Sequence, residues 1–330
     1  MSIEQFARKD RTKVMGYVEI GFAGLIWATT GPLLRILQKR GFTPWDIVLG
    51  RALFAIFFMG TVLLWRRHAR KGNGETENLV PSAQDLPTFL ALGFLAVVFS
   101  QTTYFYALSV TSVAVAVTLN YTAPFFVMII CYFLYGEKLT GQKVLALLTA
   151  LLGVALVSGL LTPEKGTMTA SLPGILAGLV SGAAYGSQTV VYKKVGVKYG
   201  PLPLNFWTMA TGTPVLILTL TISKGQAPEF FTKLAHATPG SWLIFLLLGL
   251  GPGTLAFIFF ADGINKVEAT RGSIVAMSEP VAACILGYFI LGETLTWTEL
   301  LGVGLVLGAI WSVSLPLASR ARRSTGQSCS

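Results

Sequence analysis

The chain says one thing twice, and that constrains it more than any other feature. Pro124-Phe125-Phe126, followed by Tyr135-Gly136-Glu137-Lys138-Leu139-Thr140, returns 156 positions later as Pro280-Val281-Ala282, followed by Leu291-Gly292-Glu293-Thr294-Leu295-Thr296. Upstream, Ala107-Leu108 and Ser112-Val113-Ala114 face Gly263-Ile264 and Glu268-Ala269-Thr270 at the same offset. Proline, glycine, glutamate, leucine and threonine recurring together at one spacing describe a chain of two similar halves.

What lies between the repeated marks is apolar enough to cross a bilayer. Hydrophobic residues make up 53% of the chain and charged residues 12%, against about 25% charged in a soluble domain. A spanning helix needs about 20 apolar residues. Ten segments meet that need: 14–37, 44–65, 87–107, 113–135, 141–161, 172–193, 201–223, 241–263, 269–291 and 297–317. Their glycines and prolines are tolerable there, because neighbouring helices re-satisfy the backbone. The expected fold is an all-α integral membrane protein.

The net charge of +10 is an orientation signal rather than a nucleic-acid footprint. With the N-terminus in the cytoplasm, eighteen lysines and arginines fall inside, from Arg8 to Arg323, and five outside: Lys39, Arg40, Lys165, Lys224 and Lys233. The positive-inside rule then puts both tails, 1–13 and 318–330, in the cytoplasm. The seam between halves is Thr162–Ser171, with five helices before it (14–161) and five after (172–317). Because five is odd, the second half enters from the opposite side. The reading is two inverted five-helix repeats, with substrate held between them near the midplane.

Several function classes lose support. His68 and His236 lie in loops without ligand spacing, and Cys131 and Cys284 lie in apolar helices as inert core residues. Neither a metal site nor a cofactor is expected. The N-terminus shows no short apolar stretch ending in a cleavage site, so no removable signal peptide is expected. Gly251-Pro252-Gly253 has no strand before it and no Lys-Ser/Thr after it, so it reads as a kink in the eighth helix rather than a phosphate loop.

These residues resemble a known family, the drug/metabolite transporter superfamily, and within it proteins with two EamA domains. The resemblance rests on Leu25-Ile26-Trp27, Arg51-Ala52-Leu53 and Thr122-Ala123-Pro124 with Gly136-Glu137 in the first half. In the second it rests on Arg271-Gly272-Ser273, Ser278-Glu279-Pro280 and Gly292-Glu293. It implies a ten-helix fold in which helices 1–4 and 6–9 enclose a cavity. It also implies an exporter of amino acids or other metabolites in a bacterial inner membrane; uptake of a nucleoside, vitamin or similar solute is the alternative. Four-helix multidrug relatives carry a mid-membrane glutamate on the first helix, where this chain has Ile26-Trp27-Ala28-Thr29-Thr30. That weighs against cationic drugs. Expected partners are a small-molecule substrate, the bilayer and coupling protons. The protein itself is expected as a monomer or weak homodimer.

The candidate substrate site collects the polar and aromatic side chains placed inside apolar helices. Trp27 and Thr30 lie on helix 1, Arg51 on helix 2, Gln101 and Tyr104 on one face of helix 3, Asn120 and Tyr121 on helix 4, and Tyr185 and Gln188 on helix 6. In a bilayer such groups turn to the bundle interior or to water. Two readings stay open for each, substrate contact or helix–helix hydrogen bonding. Glu279 is the candidate proton-coupling acid. Charge at that depth costs at least about 2.5–3.5 kcal/mol unless paired or wetted. Its alternative is a structural acid tied to Arg271, two turns earlier, or to freed backbone groups. Arg51 can grip a carboxylate with its planar fork, or snorkel outward.

Overall fold

The computed structural model describes residues 3–69, 78–111, 113–161, 171–224, 226–291 and 296–314. Among them there is no β-strand. The helices run α1 Ile3–Ala28, α2 Thr30–Lys39, α3 Pro44–Ala69, α4 Leu86–Gly93, α5 Gln101–Val110, α6 Val113–Asn120, α7 Ala123–Tyr135 and α8 Gly141–Val157. They continue as α9 Leu172–Tyr199, α10 Pro201–Lys224, α11 Gln226–Ala235, α12 Pro239–Leu250, α13 Ala256–Lys266, α14 Ala269–Ala276, α15 Ser278–Leu291 and α16 Trp297–Ser314. Two π-helical turns bridge α4 to α5 (Phe94–Ser100) and α12 to α13 (Gly251–Leu255).

By length and apolarity six helical runs can cross a membrane: Arg11–Lys39, Pro44–His68, Leu86–Ala107, Val115–Tyr135, Pro239–Lys266 and Trp297–Ser314. A seventh arises if Pro201–Ile222 and Ala227–Ala235, bent by 101°, form one span. The other expected segments differ for visible reasons. The helix from Gly141 to Val157 has only 17 residues, α9 is thinned in apolarity by Ser181, Ser187, Gln188, Thr189 and its glycines, and 269–291 is interrupted at Met277 between α14 and α15. The seam residues 162–170, the loop residues 70–77 and the second-half mark Gly292-Glu293 lie outside the described residues.

Polarity is distributed inside-out. Phe133, Phe289 and Trp311 are each more than two-thirds exposed, while Ser181, Asn205 and Thr208 are completely buried. That suits a lipid-facing exterior, where helices gain little by burying apolar surface and associate through close van der Waals contact. Glycine supplies the closeness. A Cβ on Gly153 would sit 2.8 Å from the Gly302 carbonyl, locking α8 against α16, and one on Gly263 would sit 2.7 Å from the Gly16 carbonyl, joining α13 to α1. Along α9, Gly174, Gly178, Gly182 and Gly186 form a bare stripe against the helices around Thr111, Leu119 and Phe126.

The break at Thr29 is stabilised locally, its hydroxyl donating to the Ile26 carbonyl at 2.7 Å. The sequence predicts a kink at Gly251-Pro252-Gly253. The structure has a widened turn there, inside a run that stays continuous from Pro239 to Lys266. Thr254 explains the continuity, since its hydroxyl takes the Gly249 carbonyl five residues back at 2.8 Å.

Candidate substrate site

Glu279 is the second residue of α15, immediately after the Met277 interruption. Its carboxyl therefore sits in a first helical turn, near unpaired N–H groups and the positive end of the helix dipole. Pro280 fits the same turn, where its missing N–H has no partner to lose. The expected alternative partner, Arg271, is engaged elsewhere: its Nε donates to Glu268 at 2.8 Å and Nη1 to the Val313 carbonyl at 2.7 Å. Glu279 instead faces the Tyr121 hydroxyl and lies within the field of Arg51. Tyr104 and Tyr185 also lie within its field.

Arg51 points inward rather than snorkelling. Its Nη2 donates to Gln101 Oε1 at 2.9 Å, and its aliphatic stem lies close over Gly253 in the second widened turn. Phe260 stacks near Tyr185, with centroids 6.4 Å apart and planes at 26°. Tyr121, Tyr185, Thr189, Phe260, Ser273 and Ala276 line a small cavity, with room for about one water.

Six of the expected residues thus meet: Arg51, Gln101, Tyr104, Tyr121, Tyr185 and Glu279, drawn from α3, α5, the α6–α7 joint, α9 and α15. The others are placed differently. Trp27 donates its indole N–H to the Pro252 carbonyl at 3.1 Å and packs edge-on against Phe257 at 5.1 Å. Asn120 ends α6, where its Oδ1 lies 2.7 Å from Ser181 Oγ. Gln188 is buried beside Tyr192, whose hydroxyl donates to Asn205 Oδ1 at 2.9 Å between α9 and α10. Thr30 opens α2, one residue past the break, and is half-buried. The sequence reading missed Phe260 and Ser181. Ser181 had a usable signal, lying four residues before Tyr185 on the same helical face; Phe260 is one of 21 phenylalanines and had none.

A second acid cluster closes one end of the bundle. Gly136 ends α7 with φ 62°, a left-handed turn that suits glycine. That turn aims Glu137 at the start of α14, where its oxygens accept from Ala269 N at 3.3 Å and Thr270 Oγ1 at 2.8 Å. Lys143 bridges Glu137 at 3.5 Å and Glu268 at 3.1 Å, and Lys193 stands 3.9 Å from Glu137 while donating to the Val267 carbonyl. Nearby, Lys266 pairs with Glu19 and, at 3.0 Å, with Asp262. Among the described residues, no group of three or more His, Cys, Asp or Glu could hold a metal.

Known proteins give this geometry its context. The model described as the EamA-like transporter family matches residues 14–159 and again 172–315. An uncharacterized transporter of Archaeoglobus fulgidus is 34% identical over 207 residues, covering 63% of this chain and 69% of its own length. The uncharacterized inner membrane transporter YicL of Salmonella typhimurium is 25% identical over 313 residues, covering 93% of this chain and 97% of its own. The S-adenosylmethionine uptake transporter of Rickettsia felis is 23% identical, covering 65% and 67%. A solved crystal structure, 19% identical, superposes with TM-score 0.71 over 92% of this chain and 98% of its own; at that identity it speaks to the fold alone.

Proposed function

Because the chain belongs to the EamA-like transporter family, we propose that it is a ten-span secondary transporter carrying a small zwitterionic metabolite, an amino acid or related compound, by alternating access. The observation that carries this reading is one guanidinium and one carboxylate set in the same apolar bundle, Arg51 held by Gln101 and within the field of Glu279, with tyrosines around the acid. Charges at such depth are expensive and mark functional positions by default. A zwitterion can offer each its opposite charge, its carboxylate to Arg51 and its ammonium to Glu279 against the tyrosine faces. Glu279 is also the group through which a proton could compete with substrate.

The two repeats are assigned to 14–161 and 172–317. The ion pairs and hydrogen bonds support this layout by sorting the helix ends. Glu137 with Thr270, Lys193 with Val267, and Arg271 with Val313 gather at one pole. Lys233 with Asp46 and Arg40 with Ser241 gather elsewhere. The first pole carries most of the cations and is assigned to the cytoplasm together with both termini. The membrane is assigned as the bacterial inner membrane. Export is the preferred direction. Uptake is the second reading, favoured by the Rickettsia felis relative, which is named an uptake transporter.

A thermal-shift panel of the purified protein tests the substrate class, since a ligand stabilises by mass action, by about 2.7 kcal/mol at 100 times its dissociation constant. Zwitterions should raise the melting temperature of wild type and leave Arg51→Met unmoved. Stabilisation by nucleosides or purely cationic amines, with zwitterions silent, contradicts the reading.

A further inference from the structure

The two widened turns occupy the same place in the two halves. The 156-residue offset carries Phe94–Ser100 onto 250–256, which contains Gly251–Leu255. A π-helical turn leaves main-chain carbonyls out of the regular ladder, and such turns are frequent at functional sites. Here each one has a carbonyl taken by a side chain from the opposite half. Trp27 of the first half donates to the Pro252 carbonyl at 3.1 Å, and Ser181 of the second half lies 3.1 Å from the Ser100 carbonyl, its one proton shared between that oxygen and Asn120 Oδ1 at 2.7 Å. Both turns adjoin the charged cluster. Gln101, which holds Arg51, follows Ser100 directly, and Gly253 lies under the Arg51 stem.

We propose that Trp27 and Ser181 are reciprocal caps on a matched pair of hinges. Each fixes the shape of the widened turn in the other half, and through it the position of Arg51 and Gln101. They are positioning residues, so Trp27 and Ser181 govern how fast the two halves exchange access rather than what is bound. An indole N–H or a hydroxyl on a carbonyl is neutral and modest, roughly 0.5–1.5 kcal/mol net, which suits a bond that must break and reform in every cycle. The caps differ in strength. Ser181 divides its proton between the Ser100 carbonyl and the nearer Asn120 Oδ1, so the helix-3 turn is the less sensitive of the two to losing its cap.

The consequence for transport rests on the function proposed above, whereas the capping itself is read on the protein alone by amide hydrogen exchange in detergent. Trp27→Phe keeps a ring in place and removes the donor. It should speed exchange at 251–257 about fivefold, while leaving 94–101 unchanged. Ser181→Ala should show the mirror pattern with a smaller factor, and Asn120→Ala, which spares the bond to Ser100, should show neither. In transport, Trp27→Phe should change turnover with little change in KM. Unchanged exchange at 251–257 in Trp27→Phe overturns the proposal, as does equal acceleration in both turns. Normal exchange together with a loss of ligand-induced stabilisation would return Trp27 to the substrate site. If no metabolite is carried, the exchange pattern still decides on the caps, and only the functional reading falls.

Discussion

Glu137 and Glu279 each stand where one half of the chain meets the other, and each touches the opposite half, yet their surroundings are unlike. Glu137 has a backbone N–H, a hydroxyl and two ammonium groups around it. Its neighbour Lys143 is itself shared with Glu268. Nothing in that arrangement is left for a ligand. Glu279 has a tyrosine hydroxyl and a guanidinium charge near it. The first acid is saturated and holds the bundle end together. The second has capacity to spare, which the proposed substrate site requires. On the proposed function, the repeated Gly-Glu mark is scaffold in the described half and the less repeated Ser278-Glu279-Pro280 supplies the site.

The comparison can be broken at several points. The largest effect is expected from filling the site. Gln101→Trp removes the acceptor for Arg51 and occupies the space before it, so flux in proteoliposomes should fall to background. Leu307→Trp, on the half-exposed face of α16, should leave flux unchanged. Equal activity in the two variants would misplace the site. A smaller effect is expected at the saturated acid. Glu137→Ala leaves the first turn of α14 and the buried Lys143 short of acceptors, costing about 1–3 kcal/mol. Melting temperature should drop while flux per inserted molecule stays near wild type.

The smallest effect is expected at a third acid, Asp85, which receives bonds from Ser82, Lys198 and Tyr199. Lys198, Ser82 and Tyr199 together hold its carboxyl well below the usual carboxylate range. A depressed folded value contributes stability above the unfolded pKa of about 3.9 and loses it as pH falls through the folded value. Asp85→Asn should therefore lower the melting temperature slightly near pH 7, with the difference from wild type vanishing in strong acid. The carboxyl lies at the surface with its side chain 28% exposed, so solvent screening keeps the effect small. A large loss would mean that the α4–α9 contact carries more of the fold than the bundle packing suggests.

Much of this was legible before the structure because membrane burial makes polar residues conspicuous. Arg51, Gln101, Tyr104, Tyr121, Tyr185 and Glu279 stand out against apolar neighbours, and helical spacing put Gln101 and Tyr104 on one face. Pairings were less legible. For Trp27 and Asn120 the sequence leaves substrate contact and helix–helix hydrogen bonding both open, and their polar atoms meet Pro252 and Ser181. A carbonyl acceptor has no letter in the sequence. The helix-3 widening was invisible for the same kind of reason, since Phe94-Leu95-Ala96-Val97-Val98-Phe99-Ser100 contains neither glycine nor proline, whereas its mate announces itself as Gly251-Pro252-Gly253. The interruption beside Glu279 falls at Met277 rather than at Pro280, because proline is at ease in a first turn and marks where α15 begins.

One side-by-side measurement tests the contrast between the two acids directly. Wild type, Glu279→Gln and Glu137→Gln are reconstituted at equal density and assayed for metabolite flux, with and without an imposed pH gradient. The account predicts that Glu279→Gln loses gradient-driven flux with no loss of thermal stability, while Glu137→Gln melts earlier and transports normally per folded molecule. Gradient-driven flux that survives in Glu279→Gln but collapses in Glu137→Gln would contradict it, assigning transport to the acid described here as scaffold.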